Sequence, residues 1–392
     1  MSQSFDEISA QLRRRHRRSA RLKWLSLGAL GLALAFLVVF FADMLSKGLP
    51  AFQQAQLLVE VDYSEQASQM PPAAIDEEVR DLVSRGWLRT VPRLMRDQPE
   101  LLGTTRSEWV LADGQVDQYL KGHANRLRDD ARERVDRLVQ EGRAELKFNT
   151  TFFTRGDSKM PELAGIMAAA IGTVMTMLVT LAVAFPIGVM TAVYLEEFAP
   201  DNRFTQVIEI NINNLAAIPS ILFGLLGLAI FIQFFGMPRS SPLVGGMTLA
   251  LMTLPIIIIA TRTALRSVPD SIRHAAFGVG CSRWQVVRDH VLPLAMPGIM
   301  TGSIIGLAQA MGETAPLIIV GMVAFIPDVG ASITNAATVL PAQIFTWAGE
   351  PDRAFIEKTA GGILVLLSVL IFLNATAVIL RKKFERRWYA RY

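Results

Sequence analysis

The sequence predicts an all-α polytopic membrane protein: six transmembrane helices, with a mainly helical polar insert between the first and the second. Three observations carry that prediction. Of 392 residues, 51% are hydrophobic and the mean hydropathy is +0.34, more apolar than an average soluble chain. The apolar residues gather in six runs, 24–42, 163–193, 212–235, 243–261, 296–324 and 360–380, each about long enough to cross roughly 30 Å of hydrocarbon as a helix. A polar stretch, 43–161, parts the first run from the other five. A buried core helix explains one such run, but not six.

The first run, WLSLGALGLALAFLVVFFA, follows the basic stretch RRRHRRSARLK, which looks like the start of a secretory signal. Its apolar length exceeds the roughly 7–15 residues of a signal core, and no A-x-A follows, so an uncleaved helix is expected. Orientation follows from Lys and Arg near the crossings. The tail 1–23 holds Arg13, Arg14, Arg15, Arg17, Arg18, Arg21 and Lys23, and the tail 381–392, RKKFERRWYARY, is as basic. Six crossings put both tails on one side, so both are expected in the cytoplasm and the insert outside. The segment 262–290, with five arginines against Asp270 and Asp289, then also lies inside. The inner loop 196–211 dissents, setting Arg203 against Glu196, Glu197, Asp201 and Glu209, but acidic residues weigh little in this rule. The net charge of +4 reflects the tails and membrane orientation, and no nucleic-acid partner is expected. Cys281 is the single cysteine, so the insert must hold together without an internal disulfide.

Within the insert, 17 Lys/Arg stand against 20 Asp/Glu. The stretch YLKGHANRLRDDARERVDRLVQEGRAELKF places Leu120, Ala124, Leu127, Ala131, Val135 and Leu138 at helical spacing. That pattern predicts a charged helix packed along one narrow stripe. A shorter helix is expected from about Ala74 to Arg85, with Pro71 and Pro72 ahead of it and Gly86 after. His123 stands alone and reads as a solvent-facing structural residue.

The membrane runs carry packing signatures. Ala168, Gly172, Thr176, Thr180, Ala184 and Gly188 recur every four residues on the second; Gly298, Gly302, Gly306 and Ala310 do so on the fifth. Such ridges let helix backbones approach closely in lipid. Pro186 and Pro255 are expected to kink their helices.

Glu313, in IIGLAQAMGETAPLIIVG, is the strong candidate for chemistry within the bilayer. An ionisable group there is costly and normally faces a cavity or a partner. Carried on one helix, Gln309 and Glu313 sit together beside the ridge at Ala310. Two readings stay open: a pathway or gate, or a protonated acid bonding two helices. No Gly-Lys pair occurs, so no nucleotide-cradling G-x-x-x-x-G-K-[ST] loop exists, and the four histidines lack metal-ligand spacing. If ATP drives this protein, another chain supplies it.

Between the fourth and fifth runs lies HAAFGVGCSRWQVVRDHVLPLAMPGI. A helix is expected from near Asp270, after Pro269, with Ile272, Ala275, Ala276 and Val279 on one face. Gly280 interrupts, helix resumes at SRWQVVRDHV, and LPLAMPG leads into the fifth crossing. A short helix presented this way can seat in a partner's groove.

These residues resemble the inner-membrane permeases of binding-protein-dependent ABC importers. Their loop pattern E-A-A-x3-G-x9-I-x-L-P is matched by Ala275, Ala276, Gly280, Leu292 and Pro293, with His274 in place of Glu and His290 in place of Ile. YLEEFAP, NLAAIPSILFGLLGLAIF, MGETAPLI and LPAQIFTWA narrow the resemblance to the phosphate-specific type, over about 160–385. Gln309 stands where that type usually has Arg, and nothing transfers onto the long insert. The resemblance implies the type-1 ABC importer permease fold over 162–380 in a bacterial inner membrane. Its coupling loop, 268–295, would meet the ATPase through Ile272, His274, Ala275, Ala276, Gly280, Leu292 and Pro293. Gln309, Glu313 and Thr314 would lie on the translocation path or gate. The implied partners are a second phosphate permease subunit, a cytoplasmic ATPase dimer that uses the ATP, and a periplasmic phosphate-binding protein. The chain itself would be no enzyme and bind no metal or cofactor. Two alternatives accompany this reading: a permease for another oxyanion such as sulfate or molybdate, and a signalling or scaffold protein that senses phosphate supply.

Overall fold

The computed structural model describes residues 2–328, 330 and 332–389, without the side chains of 2–14, 17, 377, 380 and 383–389. Arg13, Arg14 and Arg17 and the tail beyond 382, on which the orientation partly rests, therefore lie outside the described side chains. Five stretches are long and apolar enough to cross a bilayer: Arg18–Phe52, Met167–Phe198, Pro242–Arg266, Arg283–Gly312 and Ala354–Thr376. The third predicted run is a bent pair, Arg203–Ala216 and Ser220–Phe234, whose axes meet at 104°. Pro219 explains the break, because it supplies no N–H and sits at φ −55°, ψ 135°, outside the helical region.

In chain order, α1 (Ser2–Gly48) leads into the insert, which holds β1 (Gln53–Asp62), β2 (Thr105–Leu111), α2 (Gly114–Leu120), α3 (Asp129–Gln140) and β3 (Ala144–Phe148). Then follow α4 (Met167–Val193), α5 (Arg203–Ala216), α6 (Ser220–Gly227), α7 (Pro242–Arg266), α8 (Asp270–Gly278), α9 (Leu292–Gly312), α10 (Ala315–Ile319), α11 (Leu340–Ala348) and α12 (Ala354–Tyr389). The bundle centres on α7, the most buried of the spanning helices. Both predicted ridges face inward on it. Gly246 of α7 meets the Thr176 carbonyl and Val179 of α4, and Thr180 donates to the Gly246 carbonyl at 3.1 Å. Gly298 and Gly302 of α9 lie against Ala264 and Ala260. The small residues are there because a helix backbone comes against the Thr176 carbonyl at Gly246 and against the Ala264 and Ala260 methyls at Gly298 and Gly302.

The insert is mainly helical, as expected, but its helices are short and are gathered around a sheet that the hydropathy pattern did not predict. Its core is a three-stranded antiparallel sheet in the order β2-β1-β3. Leu57, Val59 and Val61 alternate into the core, where Ala131, Val135 and Leu138 of α3 also pack. The long charged helix expected over 119–148 is instead α2, an irregular link, α3 and β3. Gly122 and Gly142 take φ of +72° and +68°, in the left-handed region that ends helices. Ala124 is exposed and outside the stripe. The helix expected over 74–85 is also broken into short turns, and Gly86 lies inside the helical turn Arg85–Leu88, pressed by Leu163 and Met160.

Insert and bundle are joined by buried ions. Lys121 bridges Asp117 at 2.8 Å and Glu357 of α12 at 2.6 Å, with its side chain 3% exposed and that of Glu357 4%. Gln118 donates to Glu357 at 2.9 Å, and Asp117 accepts from the Ala55 amide at 2.7 Å. His123 is not isolated: its Nδ1 lies 3.2 Å from Gln118 and 3.7 Å from Glu357. Nearby, Glu162 accepts from Ser84 at 2.7 Å, and burial pushes its carboxyl pKa up.

Candidate functional site: a docking loop and a broken helix

At the bundle end away from the insert, α8 begins after Pro269 as expected. Gly280 takes φ +87°, a turn that side-chain-bearing residues rarely adopt. Ser282 and Gln285 then cap each other's backbones: the Ser282 amide donates to the Gln285 side chain at 2.8 Å, and the Gln285 amide to Ser282 Oγ at 3.4 Å. The chain continues through a wide turn, Val286–Val291, into α9, with Pro293 in the first turn.

The inner face of this loop is narrower than expected. Ala276 is 5% exposed and packs with Leu265, Val268, Val286 and Val291, joined by Ile272 and Leu292. Ala275 and Val279, expected on the same face, point outward, Val279 at 80% exposure. His274, Phe277 and Trp284 are exposed beside them, whereas Pro293 and His290 are half-buried. A charge at Ala276 would therefore disturb the chain's own packing; a docking test belongs at Val279 or Phe277.

What holds the loop down escaped the sequence reading. Arg273 of α8 donates through Nη2 to Glu197 at 2.7 Å and through Nε at 3.4 Å. The same guanidinium donates to the carbonyls of Val268 at 2.7 Å and Leu265 at 3.0 Å, where α7 ends. A planar fork serves this arrangement and an ammonium would not. Glu197 is 9% exposed, and its hydrogen bond holds the Arg273 guanidinium above its ordinary pKa. Glu197 sits in a wide turn, Tyr194–Phe198, that extends α4. Next to it, Glu196 accepts from Arg262 at 3.2 Å and Arg266 at 2.7 Å, and Arg262 reaches Glu209 of α5 at 2.6 Å. The acidic loop that dissented from the orientation rule is thus the counter-charge of the arginines. The sequence signal was there: four acids in 196–211 and five arginines in 262–290.

The other candidate site lies where α9 stops. Glu313 is not inside a helix: it follows Gly312 at φ −76°, ψ 130°, so the helical angle that placed it beside Gln309 does not apply. Gln309 is exposed, and Glu313 and Thr314 are half-buried. Neither Gln309 nor Glu313 makes a side-chain hydrogen bond among the described residues. After the break α10 folds against α6, and Pro316 lies where a Cβ on Gly224 would come within 2.7 Å. The GETAPL and NLAAIPS segments, far apart in sequence, meet here. The fourth quoted segment, α11, caps the insert end: Trp347 is buried and donates to Asp157 at 2.8 Å, and Gln343 donates to the Gly165 carbonyl at 2.8 Å.

Spanning helices, a bent crossing beside a broken one, and a capped loop presenting apolar side chains define an integral membrane component built to work against other chains. Residues 184–389, more than half of the chain, match the family described as binding-protein-dependent transport system inner membrane component, and the chain belongs to that family. It is a membrane permease family, not one of enzymes. Residues 9–80 and 70–129 match a domain family of unknown function. The phosphate transport system permease protein PstA 1 of Mycobacterium tuberculosis is 32% identical over 224 residues, covering 57% of this chain and 72% of that one. PstA of Yersinia pestis is 31% identical over 222 residues, covering 56% and 73%. Among solved structures, an inward-facing MetNI methionine ABC transporter aligns at 17% identity and a TM-score of 0.43, over 56% of this chain and 97% of that one.

Proposed function

We propose that this chain is a permease subunit of an ATP-driven importer of inorganic phosphate. The observation that carries the reading is the meeting of the GETAPL break with the bent NLAAIPS crossing, in a chain similar to phosphate permeases over its membrane core. Glu313 and Thr314, with Gln309 near them, line the path or its gate. The loop 268–295 docks on a cytoplasmic ATPase dimer, which hydrolyses the ATP; this chain needs no cofactor of its own. A second permease subunit completes the path, and a periplasmic phosphate-binding protein delivers the anion on the insert side. Both tails lie in the cytoplasm.

A permease for sulfate or molybdate is the second reading, favoured by the neutral, exposed Gln309 where phosphate permeases usually carry Arg. Uptake of labelled phosphate by cells with and without this chain, with sulfate and molybdate as competitors, decides between them. The expected result is loss of high-affinity phosphate uptake on deletion, insensitive to both competitors. Phosphate uptake unchanged by deletion would overturn the proposal.

A further inference from the structure

The charges at the loop end connect more elements than holding the loop requires. Arg273 alone touches three: its own α8, the end of α7 through the Leu265 and Val268 carbonyls, and the turn after α4 through Glu197. Glu196, the adjacent residue, accepts from two arginines of α7. Arg262 then spans from Glu196 to Glu209, on the first arm of the bent crossing. The second arm, α6, presses through Gly224 on Pro316, three residues beyond Glu313. Contacts thus run from the exposed loop to α5, and from α6 to the broken helix, with the chain itself joining the two arms across the bend at Pro219. Within the run Glu209 and Arg266 are open to water, at 32% and 61% exposure, while Glu196, Glu197, Arg262 and Arg273 are largely covered.

We infer that the ionic cluster of Glu196, Glu197, Glu209, Arg262, Arg266 and Arg273 is the joint through which movement of α8 turns the bent third crossing against the Glu313 segment. The inference rests on the permease reading. The loop does not swing on its glycine as a free finger; it moves with the ends of α4 and α7, and Arg262 carries that motion to α5. Arg273 is a positioning residue here, since it touches neither anion nor nucleotide.

The measurement is phosphate moved per ATP hydrolysed by the complete transporter, purified with this chain and reconstituted in liposomes. Wild type, Glu197→Gln, Arg273→Gln and the double variant are compared. The expected result is hydrolysis within about twofold of wild type, with phosphate moved per ATP falling roughly tenfold in each single variant. The double variant should fall no further than either single one, as two halves of one contact do. Unchanged ratios, or uptake and hydrolysis lost in equal proportion, would overturn the inference.

A second arm guards against variants that assemble poorly. Glu197→Cys with Arg273→Cys, in a Cys281→Ser background, is assayed before and after closure by a short cleavable thiol crosslinker. Closure should restore the ratio and cleavage abolish it again; equal coupling in both states refutes the joint. Failure of the wild-type complex to move phosphate would instead refute the permease reading.

Discussion

The two ends of this molecule are each held by ionic clusters, and the clusters differ in kind. At the insert end, Lys121, Asp117 and Glu357 are nearly sealed from water, with Gln118 and the Ala55 amide taking up remaining bonds. At the loop end, the six charged groups range from well covered, as in Glu197, to open, as in Arg266. A sealed cluster leaves a stranded ion no relief when one partner goes, so it behaves as a fixed weld. A half-open cluster lets water substitute for a lost partner, and its bonds can be made and remade at modest cost. Rigidity belongs where the insert meets the last helix, and adjustability where the loop meets the bundle.

Substitutions can break that contrast at either end. Lys121→Met should have the largest effect, about 3–5 kcal/mol, because it removes the bonded cation from two buried carboxylates and leaves Lys358 to balance them. Thermal unfolding and protease sensitivity of the insert in the purified chain measure it; a loss below about 1 kcal/mol would show that the seam is wetter than described. Glu197→Gln should cost less, about 1–2 kcal/mol, since Arg273 keeps the Leu265 and Val268 carbonyls and gains water. Equal losses at the two ends would erase the distinction.

The smallest effect should carry the opposite sign. Glu162 lies in the seam with its pKa raised by burial, so the folded state holds its proton to higher pH than the unfolded chain does. Its contribution to stability is therefore present below the ordinary carboxylate pKa of about 4.3 and is lost as pH rises through the elevated folded value. Glu162→Gln keeps a partner for Ser84 and removes that loss. The variant should match wild type near pH 4 and melt slightly higher, by less than about 1 kcal/mol, at pH 7. A gap that widens toward low pH would contradict the sign.

How much of this was legible depended on how local the determinant is. The six apolar runs and the glycine ridges were readable, because hydropathy and four-residue spacing act within one helix. The loop was readable too, from Pro269, Gly280 and the helical pattern that resumes at SRWQVVRDHV. The sheet was missed although QQAQLLVEVD alternates Ala55, Leu57, Val59 and Val61 inward, because its pairing with residues 105–111 and 144–148 is not written in any one window. The helix expected over 119–148 failed for a related reason: Leu120, Leu127 and Val135 pack on one core from different elements, with Gly122 turning the chain after the first of them and Gly142 turning it again after α3. At the candidate site, the break after Gly312 removed the helical geometry assumed for Glu313. The counter-charges at 196–211 were visible as numbers but not as neighbours, since only the fold brings them to Arg262 and Arg273.

The two places where the chain leaves and rejoins the membrane around the insert lie against the same stretch of α12. Gly48 abuts Ala360 and Leu364, and Ala51 meets Gly361. On the return, Phe152, Ala164 and Ile166 pack with Phe355 and Trp347. A domain whose two connections converge on one spot behaves as a cassette, because its removal leaves a short gap and not a torn bundle. Between its first two crossings, then, such a permease has room to acquire or exchange a whole extramembrane module, provided the new module again supplies partners for the buried Glu357.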